Sequence, residues 1–530
     1  MIRKYGTIQE DQFYEDRYPA TQDILLCIKP ASENYIQLNR SLANQFHRLY
    51  VKSKNISDIS GFDGIVLVDS DVELMSSTLA HFASALKEGY DFIYSDAAYG
   101  GMAETEILYP DKYTNGYRIN FAVISKALAA KIAQHSFQSV TDLIAISASE
   151  SENPCHINRI LLNYRKPLTA DDLFAYDKKH ALIFCHEFSL TGAPIVLSES
   201  VDHINDYDLF VIGTEKDVIA DEFSDKGIPV ILNNNARKAC DVTSIAFSFD
   251  LVVANTITTS EVVNMLSGSD VPVMWWLHDN PLVYTDDIYS LSLHENINIF
   301  CVSDYAQKCF SKYQPQIKTT LLPYAVTDRA CSDTTEPISI PAHGKVLFAS
   351  IGSINSIKGQ DLLCDAIELL PEKVLNKCLF YFLGAPSDKK TFSRLSALCE
   401  KFPENVVYGH TVPHDIMPSV FRQTDCLICS SRYDPLPVFI TEGWMFGKFC
   451  LCSKNTGTAS YIKNGLNGYI IDPENAAGFA DYITRVVKEK IYKDKKVAES
   501  CRTTYINNFT PEIFSKNIKA AIHKTADYSK

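Results

Sequence analysis

The chain has 530 residues, 46% of them hydrophobic, with no run of 18 apolar residues; this fits a soluble globular protein of two to four domains without a transmembrane span. Its net charge of −14 and pI near 5.4 argue against nucleic acid as a partner. Fifteen cysteines, an odd number without paired metal spacing, point to reduced thiols, and the start MIRKYGTIQEDQFYED has no apolar h-region, so a cytoplasmic protein is expected.

In chain order the first readable element is GFDGIVLVDSDVELMSSTLAHFASAL, where an apolar strand delivers Asp69 and Asp71 to its end and a helix follows. An Asp-x-Asp at a strand end can hold a divalent metal against a diphosphate. The plainer reading is a capped strand end, so the pair are weak metal candidates. Together with YDFIYSDAAY, ILYPDKYTNGYRINFAVISKAL and HINRILLNYRK, the segment resembles the later half of a family 2 glycosyltransferase of the GT-A fold. Only about 40 residues separate DILLCIK from Asp69, too few for the several βα units of a nucleotide-binding half. The resemblance therefore implies a truncated GT-A-like α/β domain over 1–170. It is expected to be non-catalytic and to dock acceptor, partner or a second copy of the chain.

After the charged loop RKPLTADDLFAYDKKH, the segment HALIFCHEFSLTGAPIVLSES reads as strand, glycine loop with Gly192, and helix. DLFVIGT, IPVILNN, FDLVVANT, VPVMWWLHDN, INIFCVSD and TTLLPYAVTD follow, several separated by helical patterns. That rhythm predicts a parallel sheet with ligands outside the carboxyl ends of its strands. His278 ends one strand, and a lone histidine after an apolar strand is more often structural than chemical; His186 and Asn255, at other strand ends, are weaker candidates. The polar stretch TDRACSDTTEPISIPAHGK then marks a boundary.

Beyond it, SIGSINSIKGQDLLCDAIELL gives strand, turn with Gly352 and Ser353, and a helix opened by Lys358. A glycine turn lets backbone approach a phosphate, and a lysine at the helix start supplies positive charge, although surface lysines are usually only solvated. LFYFLGAP, VVYGHTV (with His410), DCLICSS and FCLCSKNTGTASYIKNGLNGYIIDP continue the series of short strands ending in loops. In SSRYDPLPVFITEGWMFGKFCLCS, seven residues separate Asp434 from Glu442. Pro435 and Pro437 keep the first acid out of a helix, and a helix beginning at Val438 places Glu442 about a turn inside it. A helix N-terminus attracts phosphate, and flanking carboxylates can accept hydrogen bonds from sugar hydroxyls. The alternative is an ordinary helix start with two solvated acids. The basic stretch RVVKEKIYKDKK reads as a solvated helix face or, second, as a contact with anionic lipid.

The order KGQDLL, LGAP, YGH, SSRYDPLP…TEG and NTGTASYI…GLNGYII resembles the bacterial retaining family 4 glycosyltransferases of the GT-B fold, over about 180 residues. The resemblance implies two Rossmann-like parallel-sheet domains, an acceptor side over 180–340 and a nucleotide-sugar side over 341–510. A terminal helix over 511–530 would cross back to the first, with Pro511 near its start. By the same resemblance Lys358 binds the donor diphosphate, Asp434 the transferred sugar and Glu442 the ribose. Backbone groups near Leu436 and Val438 bind sugar and phosphates, His278 lies at the transfer centre, and Gly192, Gly352, Ser353 and His410 sit in donor-binding loops. Two positions depart from the family: Ser353 replaces a phosphate-binding arginine, and Pro437 replaces a glycine and has no N–H to donate.

The expected function is retaining transfer from a UDP-, GDP- or dTDP-sugar to a glycan, lipid-linked or protein acceptor, in bacterial surface polysaccharide or glycoconjugate synthesis. Neither metal nor cofactor is required by it. Peripheral contact with the inner membrane face and self-association or partner binding through 1–170 accompany this reading. Two alternatives stand beside it: another GT-B activity such as a nucleotide-sugar epimerase, and a catalytically silent partner of an active enzyme. Lys358 and Glu442 are expected at solvent-facing sheet edges.

Overall fold

The computed structural model describes residues 24–28, 49–51, 64–68, 72–75, 77–100, 105–112, 116–137, 139–174, 178–189, 192–279, 292–331 and 338–527. Asp69 and Asp71 lie outside the described residues. Among those described, no helix is long and apolar enough to cross a membrane, no group of His, Cys, Asp or Glu is arranged to hold a metal ion, and the cysteines are free thiols.

Continuous apolar runs such as VLFASI and CLFYFL are buried almost end to end because helices cover both faces of the sheet they build. Six strands form the second sheet, all parallel, in the spatial order Val406–Tyr408, Cys378–Leu383, Val346–Ile351, Cys426–Cys429, Phe449–Ser453, Gly468–Ile471. In chain order this is 3-2-1-4-5-6, so the order reverses between Val346–Ile351 and Cys426–Cys429 and a crevice opens there beyond the strand ends. The helix Gln360–Glu368 buries Leu362, Leu363 and Ile367 on the sheet, each worth about 1.5–3 kcal/mol.

The first sheet repeats the design. Val230–Leu232, Asp208–Gly213, His180–Phe184, Leu251–Asn255, Val273–Leu277, Ile297–Cys301 and Thr319–Leu321 lie side by side and parallel. Their order reverses between His180–Phe184 and Leu251–Asn255. This sheet does not stop at Val230–Leu232: that strand pairs antiparallel with Thr105–Leu108, Val230 opposite Leu108 and Leu232 opposite Glu106. The sheet thereby runs on into the amino-terminal strands Phe92–Tyr99, Phe121–Ser125 and Gly64–Val68. Asn233 fastens the seam by donating to Thr105 Oγ1 at 2.9 Å. Inside the amino-terminal part, His156 sits between Asp96 (2.9 Å) and Asp111 (2.8 Å) and stacks on Tyr94. Burial opposes its charge, but the two carboxylates prevail and hold it up at about 9.

The carboxyl-terminal helix Pro511–Ala526 packs on the first sheet, where Phe514 stacks on Trp276 and Lys524 Nζ donates to Thr320 Oγ1 at 2.8 Å. Before it, Tyr505 OH donates to the Val326 carbonyl at 2.8 Å. The chain end therefore ties the two sheets together.

Candidate active site

The crevice of the second sheet is built by close backbone approach. Gly384 has φ +138°, and a Cβ on it would stand 2.1 Å from the Gly352 carbonyl oxygen; Gly359 has φ +68°, and a Cβ there would stand 2.2 Å from the Ser430 carbonyl oxygen. Only glycine fits either place. Between them the turn ties itself down: Asn355 Oδ1 accepts from the Lys358 N–H (2.9 Å), and Gln360 Nε2 donates to the Ser353 carbonyl (3.0 Å). The turn thus presents Lys358, whose Nζ meets Asp434 Oδ2 at 2.7 Å. Burial works against the lysine's charge, and Asp434 outweighs it, so its pKa is raised.

Asp434 is 4% exposed and Glu442 7%, which rules out two solvated acids and corrects the expectation that Glu442 lies at a solvent-facing edge. The helix Val438–Met445 begins after Pro437, and among the described residues no hydrogen-bond partner is recorded for the N–H groups of Leu436 and Val438. They are the free donors of a helix start. The loop carrying them is held from both sides. Asp434 donates its N–H to the Asn455 carbonyl and accepts from the Gly457 N–H. From the first half, Ser303 Oγ donates to the Pro435 carbonyl and Tyr324 OH to the Leu436 carbonyl at 2.6 Å. Gly192 also belongs to this seam, since a Cβ on it would stand 4.0 Å from Val438 Cγ2.

Of the residues singled out in the sequence, Gly352 and Ser353 lie at the turn that presents Lys358, Lys358 pairs with Asp434, Leu436 and Val438 follow on the loop and helix start, and Val438 and Glu442 line a pocket with Glu199, Arg329 and His414. Ser353 is exposed at the turn. His410 is exposed with φ +61°, its ring beside Tyr408 and its carbonyl accepting from the Gly384 N–H. On the facing half, His278 packs on Trp276, and its Nε2 has no partner. Burial, with His186 nearby, lowers its pKa to about 3.

Sequence reasoning missed two sets of charges. Arg432 makes a bidentate pair with Asp361 (2.8 and 3.0 Å), binds Glu474 and donates to the Ser356 carbonyl. Its place two residues before Asp434 was the available signal. It clamps the glycine turn, and its engagement with two carboxylates means it does not stand in for the cation absent at Ser353. The second set crosses the cleft: Glu442 Oε1 meets His414 Nε2 at 3.0 Å, His414 Nδ1 meets Arg329 at 2.8 Å, and Arg329 reaches Glu199 at 3.4 Å. No spacing in the sequence announces this chain of contacts, because its members lie on four separate segments.

The hydrogen bond to Glu442 raises the pKa of His414, more than burial lowers it. A raised imidazole stabilises the fold fully below its ordinary value near 6.5, and that stability is lost as pH rises through the raised value. The Tm difference between wild type and His414→Gln should accordingly shrink between pH 6 and pH 9. A difference constant across that range would detach His414 from Glu442.

Residues 333–503 match the family model described as Glycosyl transferases group 1, and residues 177–316 that described as Glycosyl-transferase family 4. A glycogen synthase of Pseudomonas fluorescens is 24% identical over 156 residues, 29% of this chain and 29% of that protein. The lipopolysaccharide core biosynthesis glycosyltransferase LpsE of Rhizobium meliloti is 26% identical over 185 residues, 35% of this chain and 50% of that one. The chain thus matches between about a quarter and a half of the length of such curated relatives. Among solved structures, Anabaena HepE in complex with UDP-glucose aligns with a TM-score of 0.55 at 15% identity, covering 65% of this chain and 99% of that one. The lipopolysaccharide outer core galactosyltransferase WaaB aligns at 0.51 with 16% identity, covering 65% and 99%. The fold over the two parallel sheets is the GT-B fold of glycosyltransferases.

Proposed function

We propose that this chain is a retaining glycosyltransferase that moves a sugar from a nucleoside-diphosphate donor, bound between the two parallel-sheet halves, to a hydroxyl of a glycan, lipid-linked or protein-linked acceptor. The observation that carries this reading is the Lys358–Asp434 pair, 2.7 Å long, at the order reversal of the second sheet and before a helix start whose Leu436 and Val438 N–H groups have no hydrogen-bond partner among the described residues. In the reaction Lys358 leaves Asp434 for the diphosphate and, with the helix start, meets the charge that develops as the glycosidic bond breaks. Asp434 takes hydroxyls of the transferred sugar, Glu442 those of the ribose, and the acceptor hydroxyl attacks on the face the diphosphate leaves. His278 faces this event from the first half as a neutral imidazole. Residues 1–170 serve as a docking part without chemistry of their own.

UDP is the first nucleotide to test, since HepE was crystallised with UDP and with UDP-glucose; GDP and dTDP complete the panel. We expect one of them to raise the Tm of the wild type. Lys358→Gln should weaken its binding by about 1–3 kcal/mol, the range for a hydrogen bond to a charged group. A second reading, a catalytically silent partner of an active enzyme, draws on the missing cation at Ser353 and the engagement of Arg432 with carboxylates. The absence of any nucleotide response would favour it.

A further inference from the structure

Glu442 is held by a line of side chains that begins in the other half of the molecule. Glu199 sits near the end of the helix Gly192–Ser200 on the first half, and its Oε1 meets Arg329 at 3.4 Å. Arg329 in turn meets His414 Nδ1 at 2.8 Å, and His414 Nε2 reaches Glu442 Oε1 at 3.0 Å. The contacts are direct. The cavity that Glu199, Arg329, His414, Val438 and Glu442 share has a volume of about 20 Å³, room for no more than about one water molecule.

The segment that carries Arg329 is fastened to the helix of Glu442. The Arg329 N–H donates to Met445 Sδ at 3.1 Å, and the neighbouring Asp328 pairs with Arg502, which also donates to the Met445 carbonyl at 2.8 Å. Val326 donates to the Phe509 carbonyl (2.9 Å) and accepts from Tyr505 OH (2.8 Å). Arg329 therefore approaches His414 from a set direction.

That direction decides where the ring proton sits. A guanidinium carries donors only, so with the imidazole neutral Arg329 donates to Nδ1, and the proton stays on Nε2, aimed at Glu442. One carboxylate oxygen is thereby fixed. The other, Glu442 Oε2, has no hydrogen-bond partner among the described residues. A carboxylate anchored through one oxygen presents the second at a defined angle, whereas an unanchored one would have to give up its rotamer freedom at each binding event.

We infer that His414 is a positioning residue: with Arg329 and Glu199 behind it, it aims Glu442 at the ribose hydroxyls of the donor, so that the first half takes part in reading a nucleotide bound on the second. The inference rests on the reading of Glu442 under the proposed function, and the experiment separates the two. UDP, GDP and dTDP are each titrated calorimetrically against the full chain beside their 2′,3′-dideoxy analogues, at pH 9 to keep the imidazole neutral. The quantity read is the ratio of the two affinities, since a change in fold or in phosphate binding moves both alike. For at least one pair the wild type should favour the hydroxylated nucleotide by at least about tenfold, or about 1.4 kcal/mol. His414→Phe should bring that ratio within about twofold of one. His414→Gln should keep most of it, because a carboxamide offers an acceptor to Arg329 and a donor to Glu442, as the neutral imidazole does. Arg329→Met, which leaves His414 in place without its donor, should lower the ratio at least about threefold and decides the question if His414→Phe does not fold. A ratio unmoved in these two variants, or lost in His414→Gln as fully as in His414→Phe, would overturn the role of His414 and leave Glu442 on the ribose. Equal binding of both forms by the wild type would instead remove Glu442 from the ribose, and this inference with it. No nucleotide binding at all would sink the donor reading together with everything built on it.

Discussion

Asp434→Asn is expected to lower sugar transfer by about 10²- to 10³-fold while leaving the affinity for free nucleoside diphosphate unchanged or tighter. The two halves of this result have separate causes. The transferred sugar loses an ionised acceptor, which in a water-poor cleft is worth about 3–4 kcal/mol of transition-state stabilisation. Free nucleotide carries no sugar to miss it. Lys358, which pairs with Asp434 at 2.7 Å, no longer has to give up a carboxylate before it meets phosphate. The fold should tolerate the change: the lysine side chain is 34% exposed and can recover water, so the stability loss should be about 1 kcal/mol instead of the 3–5 kcal/mol of a fully buried pair. Calorimetric titration of nucleotide and of nucleotide-sugar, with transfer rates alongside, separates the effects. Equal weakening of both ligands would remove Asp434 from the sugar's path.

Gly457→Ala should be the most disruptive single methyl group in the site. A Cβ at that position would stand 1.7 Å from the Pro435 carbonyl oxygen and 2.5 Å from Ser303, and the first of these is backbone that no rotamer change can clear. Pro435 would have to retreat, breaking its hydrogen bond from Ser303 and displacing the loop between Asp434 and the helix start. The expected cost is on the order of 3 kcal/mol, with transfer and nucleotide binding lost together. Ser303→Ala, which removes the strap without inserting bulk, should cost about 1 kcal/mol and affect transfer more mildly. A Gly457→Ala protein with wild-type Tm and activity would mean that the junction is looser than its distances indicate.

Much of the fold is legible in the sequence because its signals are local. Between 346 and 453 the apolar runs ending in Gly or Ser mark parallel strands of the second sheet, and the spacing of Asp434 and Glu442 with the intervening prolines marks a helix start. The partners that decide what those acids do are distant. His414 reaches Glu442, and Arg329 and Glu199 complete the line, only after several elements have folded. Ser303 and Tyr324 grip the loop from the other half of the molecule, and nothing in TTLLPYAVTD or INIFCVSD says so. For the same reason the strand Thr105–Leu108 gave no warning that it would meet Val230–Leu232, about 120 residues further along the chain.

That meeting changes what can be cut from this protein. A sheet edge is a row of open N–H and C=O groups ready to recruit any passing strand, and Thr105–Leu108 occupies the edge that Val230–Leu232 would otherwise present. Trimming the chain at the charged loop near residue 170 would excise the plug along with the region it belongs to. The shortened molecule would carry an adhesive flank of bare apolar backbone, a template for chain-to-chain stacking, even with both halves of its cleft intact.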